Sequence, residues 1–464
     1  MNRIAVLNVV GLCDRHIGEH TPRIQAFRES GKQAFIDPAF PALTCTAQSN
    51  YLTGTPSETH GIVGNGWYNR ELAEVHFWKQ SNHLVQAPKI WAKLREKHKD
   101  FTCAKLFWWY NMYSGANWSI TPRPMYPADG RKVFDIYTEP FDIRTDIKKD
   151  LGEFPFPGFW GPAAGVDTPQ GTADCVSRWI AKSAKWIERR NSPTLSLVYL
   201  PHLDYNLQRL GPMAPEIAKD LGEIDNIVGD LIDFYEKTGV QVILLSEYGI
   251  TPVNHAIHVN RLLREKGWLV VKEELGRELL DAGASQAFAV ADHQVAHVYL
   301  NDKAVANDVQ SLLEKTPGVQ RVLDQPAQEE LAVRHERAGD LIAVAEEGAW
   351  FTYYYWLDDD QAPDFARTVD IHRKPGYDPA ELFLDPDIPL VKAKIAARLL
   401  QKKLGFRMLM DVIPLDASLV KGSHGCRPES RTDWPVAITP EPDWLTEEKL
   451  KSTDIHDLIM RALN

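Results

Sequence analysis

Short apolar runs and longer amphipathic segments take turns along this chain. Ile4 to Val10 is an almost unbroken apolar run, the pattern of a parallel strand covered on both faces, and Leu195 to Leu200 and Val240 to Leu245 repeat it. A segment of helical period precedes each of the last two. Gly171 to Arg190 sets Val176, Ile180 and Trp186 on one stripe, and Pro215 to Lys237 sets Ile217, Leu221, Ile224, Val228 and Leu231 on another. Thr102 to Trp109 and Ala296 to Leu300 read as further strands. The alternation predicts an α/β fold with a doubly wound, mostly parallel sheet.

Two stretches break this rhythm. Residues 110–165 and 355–395 are rich in aromatics, proline and glycine and hold no period. Such segments are either functional lids or loops packed on their own aromatics. The whole chain, 1–464, is therefore expected to be one domain, with an aromatic and proline-rich insertion at 110–165 and a second at 355–420 beside the site. A formal net charge of -11 makes a nucleic-acid partner unexpected, because phosphate-backbone binding needs a basic surface. Five dispersed cysteines, Cys13, Cys45, Cys103, Cys175 and Cys426, suggest neither a zinc ribbon nor a disulfide framework and fit a reducing, cytoplasmic setting. The opening MNRIAVLNVVGL is too short for a membrane span and reads as the first strand, so no membrane partner is expected.

The densest chemistry lies in FPALTCTAQSNYLTGTPSETHGIVGN, residues 40–65. Thr44 follows a proline-containing loop and opens a candidate helix, where free backbone N–H groups favour an anion. Asn65 offers a neutral N–H donor for charge growing on a non-bridging oxygen. Local chemistry by itself also allows Thr44 as a helix cap and Asn65 as a turn residue.

Phe40-Pro41, Thr44, Thr53-Gly54, His60-Gly61 and Asn65 together resemble the type I phosphodiesterase and nucleotide pyrophosphatase family of the alkaline phosphatase superfamily. The resemblance implies an alkaline-phosphatase-like sheet with helices on both faces and cap insertions. It further implies Thr44 as a covalent nucleophile and Asn65 as the holder of a phosphoryl oxygen. One or two divalent ions, Zn²⁺, Mn²⁺ or Mg²⁺, would activate the threonine, a pair of such ions standing roughly 4 Å apart.

The ligand positions implied by that family are only partly kept. Val10 stands where an aspartate is expected, with Asp14 a turn further on. Asp204 is kept, but Gln208 replaces the histidine four residues later. Ser-Asp-His-Gly has become Ser246-Glu247-Tyr248-Gly249, and His424 is kept. Asp204 and His424, with Thr44 and Glu247, form two incomplete sets, since a catalytic zinc takes three protein ligands. Tyr248 and Gln208 are left as candidate substrate contacts.

In Val369-Asp370-Ile371-His372-Arg373-Lys374, an extended strand would turn Asp370 and His372 to one face as replacement ligands. Arg373 or Lys374 would then hold the substrate phosphate; the alternative is a charged surface loop. His202 is a further substitute for the missing histidine. Asp292 and His293 read as a ligand pair, as acid and base, or as a satisfied core pair, and His297 as core. Arg123, Arg131 and Lys132 read as solvated charges, and Cys45 as a small buried hydrophobe. The resulting expectation is a metal-dependent phosphohydrolase acting on a small phosphorylated metabolite, with homo-oligomerisation open. Its rivals are a non-hydrolytic binder of such a metabolite and an enzyme of phosphoryl transfer or isomerisation.

Overall fold

A computed structural model describes residues 1–165 and 175–464. A nine-stranded sheet forms its centre. Five strands run parallel in the order Gln241–Leu245, Ile4–Val9, Leu195–Leu200, Cys103–Leu106 and Trp118–Pro122. Ile4–Val9 lies in the middle and is buried along its whole length, as its apolar run requires. Each of its large side chains contributes about 1.5–3 kcal/mol by leaving water. On one side Val436–Thr439 joins Gln241–Leu245 antiparallel, Lys32–Asp37 joins it antiparallel in turn, and Lys449–Lys451 forms the edge parallel to Lys32–Asp37; on the other side Ile136–Glu139 is the antiparallel edge.

The helices follow the amphipathic segments. Ile217–Lys237 and Val176–Asn191 pack together against the sheet, and Pro22–Ser30 packs on the former. The residues of the expected helix before Cys175, Gly171 to Asp174, lie outside the described part. Thr44–Thr53 pairs with the C-terminal Asp454–Leu463. Gly54 ends the former helix in a left-handed conformation, φ 70°.

Two expectations change. Residues 110–165 contribute Trp118–Pro122 and Ile136–Glu139 to the central sheet and the helix Ile143–Leu151. The strands are so short, and so crowded by proline and aromatics, that no period marks them. Val295–Leu300 is a strand, but it belongs to a separate antiparallel sheet with Ala287–Asp292, Leu341–Ala345 and Val319–Leu323. That sheet has its own apolar core, into which Tyr353, Tyr354, Tyr355 and Trp356 pack. Residues 355–420 hold short turns and one helix, Val391–Lys403. Among the described residues no helix is long and apolar enough to cross a membrane, and all five cysteines are free thiols.

Candidate active site

In an open parallel sheet the carboxyl ends of the strands face a crevice. Here they carry Asn8, Tyr199 and, just beyond Gln241–Leu245, Glu247 and Tyr248. Gly249 is needed beside them, because a Cβ there would come 1.8 Å from the carbonyl oxygen of Asp433. Thr44 is the first residue of its helix, preceded by Leu43 in extended conformation, which supplies no cap. The cap comes from a distance: Asn65 Oδ1 accepts from the Cys45 N–H at 3.0 Å, satisfying one of the free first-turn donors.

A hydrogen-bonded row starts at Thr44. Its Oγ1 lies 3.1 Å from the Tyr248 hydroxyl, which donates to Asp204 Oδ1 at 3.1 Å. With the tyrosine proton engaged by the carboxylate, Thr44 is the donor of the first bond. Burial pushes Asp204 up to about 7, against the pull of hydrogen bonds from Tyr248 and Gln208. Glu247, just behind, is pushed up to about 8 by burial, although Gln48 at 2.6 Å and Asn8 both donate to its Oε1.

A second row starts at Asn65. Its backbone N–H and its Nδ2 donate to the two oxygens of Asp292 at 2.8 and 3.1 Å. Nδ2 also donates to the Tyr377 hydroxyl at 3.1 Å, and that hydroxyl donates to Asp292 at 2.8 Å. Both amide hydrogens of Asn65 are thus engaged. Asp292 ends the strand Ala287–Asp292, and the next residue, His293, turns with φ 58° to face the site. Burial lifts Asp292 to about 7 as well, opposed by those hydrogen bonds.

Thr44, Asn65, Asp204, Tyr248, His293 and His424 all line one cavity of about 40 Å³. A single water needs roughly 10–15 Å³, so a small group fits. Its remaining walls are mostly aromatic, with Trp78, Trp109 and Trp160 among them, and no lysine or arginine lines it among the described residues. The indoles, Tyr377 and the role of Asp292 were not legible in sequence, since their meeting depends on contacts between distant segments.

The residues present do not fit a two-metal cage. Val10 is apolar and fully buried, and Gln208 presents an amide. Tyr248 occupies the space between the two kept ligand positions. Its ring stacks on His424 at 3.7 Å and 3°, and its hydroxyl bridges Asp204 and Thr44. His424 Nδ1 lies 2.8 Å from the Ala42 carbonyl, and burial lowers its imidazole to about 3. Among the described residues no three His, Cys, Asp or Glu side chains gather to hold an ion.

The proposed replacements point elsewhere. Residues 369–374 form turns, so Ile371 faces the cavity while its neighbours turn away. Asp370 pairs with Lys132 at 3.1 Å and accepts from Tyr126, and His372 Nδ1 lies 3.3 Å from the Trp78 carbonyl. Lys374 is buried in an ion pair with Glu381, and Arg373 is exposed over the Tyr126 ring. Alternation in a strand is what would set Asp370 and His372 on one face, and no strand forms there. His202 pairs with Asp220 at 3.0 Å, and His297 lies in the core with Nε2 3.0 Å from the Val63 carbonyl. Asp14 lies 2.8 Å from Gln33 Nε2 and 3.4 Å from Arg28.

The family model for type I phosphodiesterase / nucleotide pyrophosphatase matches residues 5–378, and the chain belongs to that family. A curated relative from Schizosaccharomyces pombe, an uncharacterized pyrophosphatase/phosphodiesterase, is 21% identical over 260 residues, which is 55% of this chain. The chain spans only 42% of that relative's length. Among solved structures, phosphonoacetate hydrolase from Sinorhizobium meliloti 1021 in complex with phosphonoformate is similar with a TM-score of 0.62 at 16% identity, covering 100% of this chain and 96% of the other. Murine ectonucleotide pyrophosphatase / phosphodiesterase 5 is similar with a TM-score of 0.58 at 15% identity, covering 100% and 95%. The likeness establishes the alkaline-phosphatase-like α/β fold.

Proposed function

We propose that this chain is a phosphoric ester hydrolase in which Thr44 attacks phosphorus while Tyr248 passes its proton to Asp204. Family membership supports the reaction class. The observation that carries the residue roles is the row Thr44, Tyr248, Asp204, each step 3.1 Å, opening on the cavity. As the Thr44 oxygen bonds to phosphorus, its hydrogen moves to Tyr248 and the tyrosine hydrogen moves to Asp204. A carboxylate lifted to about 7 is a base suited to neutral pH. The bond to the leaving group breaks and the departing oxygen takes a proton from solvent; water then attacks the phosphothreonine and gives a proton to solvent, while the Thr44 oxygen recovers its own from Asp204 through Tyr248. The donor set does not assemble a cage for one or two divalent ions, so no step is routed through a metal.

Asn65 reaches a phosphoryl oxygen only by giving up a hydrogen bond to Tyr377 or Asp292, so its primary work is to anchor the helix that presents Thr44. The substrate class follows from charge. A cavity lined by the Asp204 carboxylate and, among the described residues, by no lysine or arginine disfavours the dianion of a phosphate monoester and accepts the single charge of a diester more readily. The aromatic walls suit an apolar or ring-bearing ester group.

The test compares bis-p-nitrophenyl phosphate with p-nitrophenyl phosphate, in chelator, for wild type and Thr44→Ala. The diester is expected to be cleaved faster, and Thr44→Ala to abolish cleavage of both. Equal rates in the two proteins would remove Thr44 from the reaction. The substitutions at Val10, Gln208 and Tyr248 favour a second reading, binding of a phosphorylated metabolite without turnover. Ligand binding with no cleavage by wild type supports it.

A further inference from the structure

The helix Val391–Lys403 has no buried residue and lies outside every apolar core of the molecule. Its orientation is inverted relative to an ordinary surface helix. The cations turn inward: Lys394 and Arg398 bond Asp411 at 2.9 and 3.2 Å, and Lys402 reaches the Lys132 carbonyl at 3.3 Å. The apolar side chains turn outward instead. Leu399, Leu400, Leu404 and the following Phe406 are each more than half exposed, at 52%, 57%, 65% and 63%. Ala393, Ala396 and Ala397 share that outer face, with Lys392 and Lys403 exposed beside them.

The charge pattern is equally one-sided. Residues 388–410 contain six lysines and arginines and no acid, in a chain whose net charge is -11. We propose that this helix docks the protein on an anionic lipid surface, with the leucines and Phe406 sunk below the headgroups and Lys392, Lys403 and Arg407 meeting lipid phosphates. Docking on a surface needs one apolar face and not a span of about 20 residues, so the lack of a membrane-crossing helix does not bear on it. The acids elsewhere on the molecule are screened beyond roughly 8 Å at physiological salt, while contacts at the helix are not.

A second copy of this chain is the rival occupant, and it fits less well. The exposed Met125, Tyr126 and Phe134 adjoin this helix beside Lys402, while Leu72, Tyr113, Phe141, Met213 and Leu275 stand far apart in the sequence. Pairing the helix with its own copy would set the exposed Lys392, Lys403 and Arg407 against the same three cations. A lipid surface supplies both the apolar depth and the negative charge.

The surface also adjoins the cavity rim. Lys402 holds Lys132, Lys132 pairs with Asp370, and the next residue, Ile371, is cavity wall. The proposal is independent of the hydrolase reading.

The experiment is co-sedimentation of the full chain with vesicles of pure phosphatidylcholine, and with vesicles in which about 30% is phosphatidylserine. Wild type should sediment with the anionic vesicles only, and release at about 0.5 M salt. Lys392→Glu with Lys403→Glu should weaken binding by about tenfold or more. Leu400→Glu with Leu404→Glu should abolish it while leaving the melting temperature unchanged, since both sites are exposed. No sedimentation of wild type with anionic vesicles overturns the proposal, as does equal binding to uncharged ones. So does a solution dimer, seen by light scattering, that the leucine variant dissolves.

Discussion

Asp204 in the cavity wall and Asp292, next to the wall residue His293, are both buried and are both lifted to about 7 by burial, yet their surroundings differ. Asp292 accepts from the backbone and side chain of Asn65 and from Tyr377, and every one of those donors is itself held by the fold. Asp204 lines the cavity and connects through Tyr248 to a hydroxyl that faces it. A raised carboxylate therefore marks desolvation and not chemistry. What separates the base from the brace is whether a proton path leads to a reacting atom.

The comparison breaks most sharply at the end of the path. Thr44→Ala should lower diester cleavage by about 1,000-fold or more while the protein still binds ligand, as single-turnover and binding assays would show. If cleavage persists, the Asp204 row has no nucleophile to serve. Next in size come the paired amides. Asp204→Asn should reduce kcat by about 100- to 10,000-fold with little change in melting temperature. Asp292→Asn should instead cost about 1–3 kcal/mol of stability, because an amide mismatches donors that expect an acceptor. Equal losses of kcat and stability in both variants would erase the distinction.

Tyr248→Phe sharpens it further. The ring can still stack on His424, so folding should survive, while kcat falls by about 100-fold through loss of the bridging hydroxyl. Activity in wild type should resist chelation; a chelator that silences it would show that an ion displaces Tyr248 from its place.

The smallest effect lies away from the site and tests the same desolvation rule with opposite charge. Burial lowers Lys89 to about 7, well under its unfolded value of 10.5. Between those values the unfolded chain binds the extra proton at Lys89, so the contribution of Lys89 to stability should rise with pH from about 7, by up to about 1.4 kcal/mol per unit, against the fall set by Glu247, raised by burial to about 8, and by His202, lifted against burial to about 9 by its bond to Asp220. Above about 9 the gain should fade, because burial raises Cys13, Cys45 and Cys103, and the unfolded thiols ionise first. The stability of wild type minus that of Lys89→Met, from denaturant titrations run across that range, should rise with pH.

Much of the frame was open to reading before any coordinates. The runs at Ile4, Leu195 and Val240 became three adjacent central strands, and the stripes at Val176 and Ile217 became helices, because burial on both faces or on one leaves its period in the sequence. The spacing from Phe40 to Asn65 likewise placed Thr44 at a helix start. Other features left no such trace. Trp118–Pro122 is too short to show a period, and Asp370 and His372 sit in turns where alternation has no meaning.

Sequence by itself thus determined the α/β order, the family and the identity of the residues at the family's ligand positions. Only the tertiary structure decided what those residues do together. That Tyr248 joins Thr44 to Asp204, that Asp292 closes on Asn65, and that a helix turns its leucines outward all depend on contacts between distant parts of the chain. Periodicity records which face of an element is buried; it carries no record of which distant donor meets which acceptor once the faces have packed.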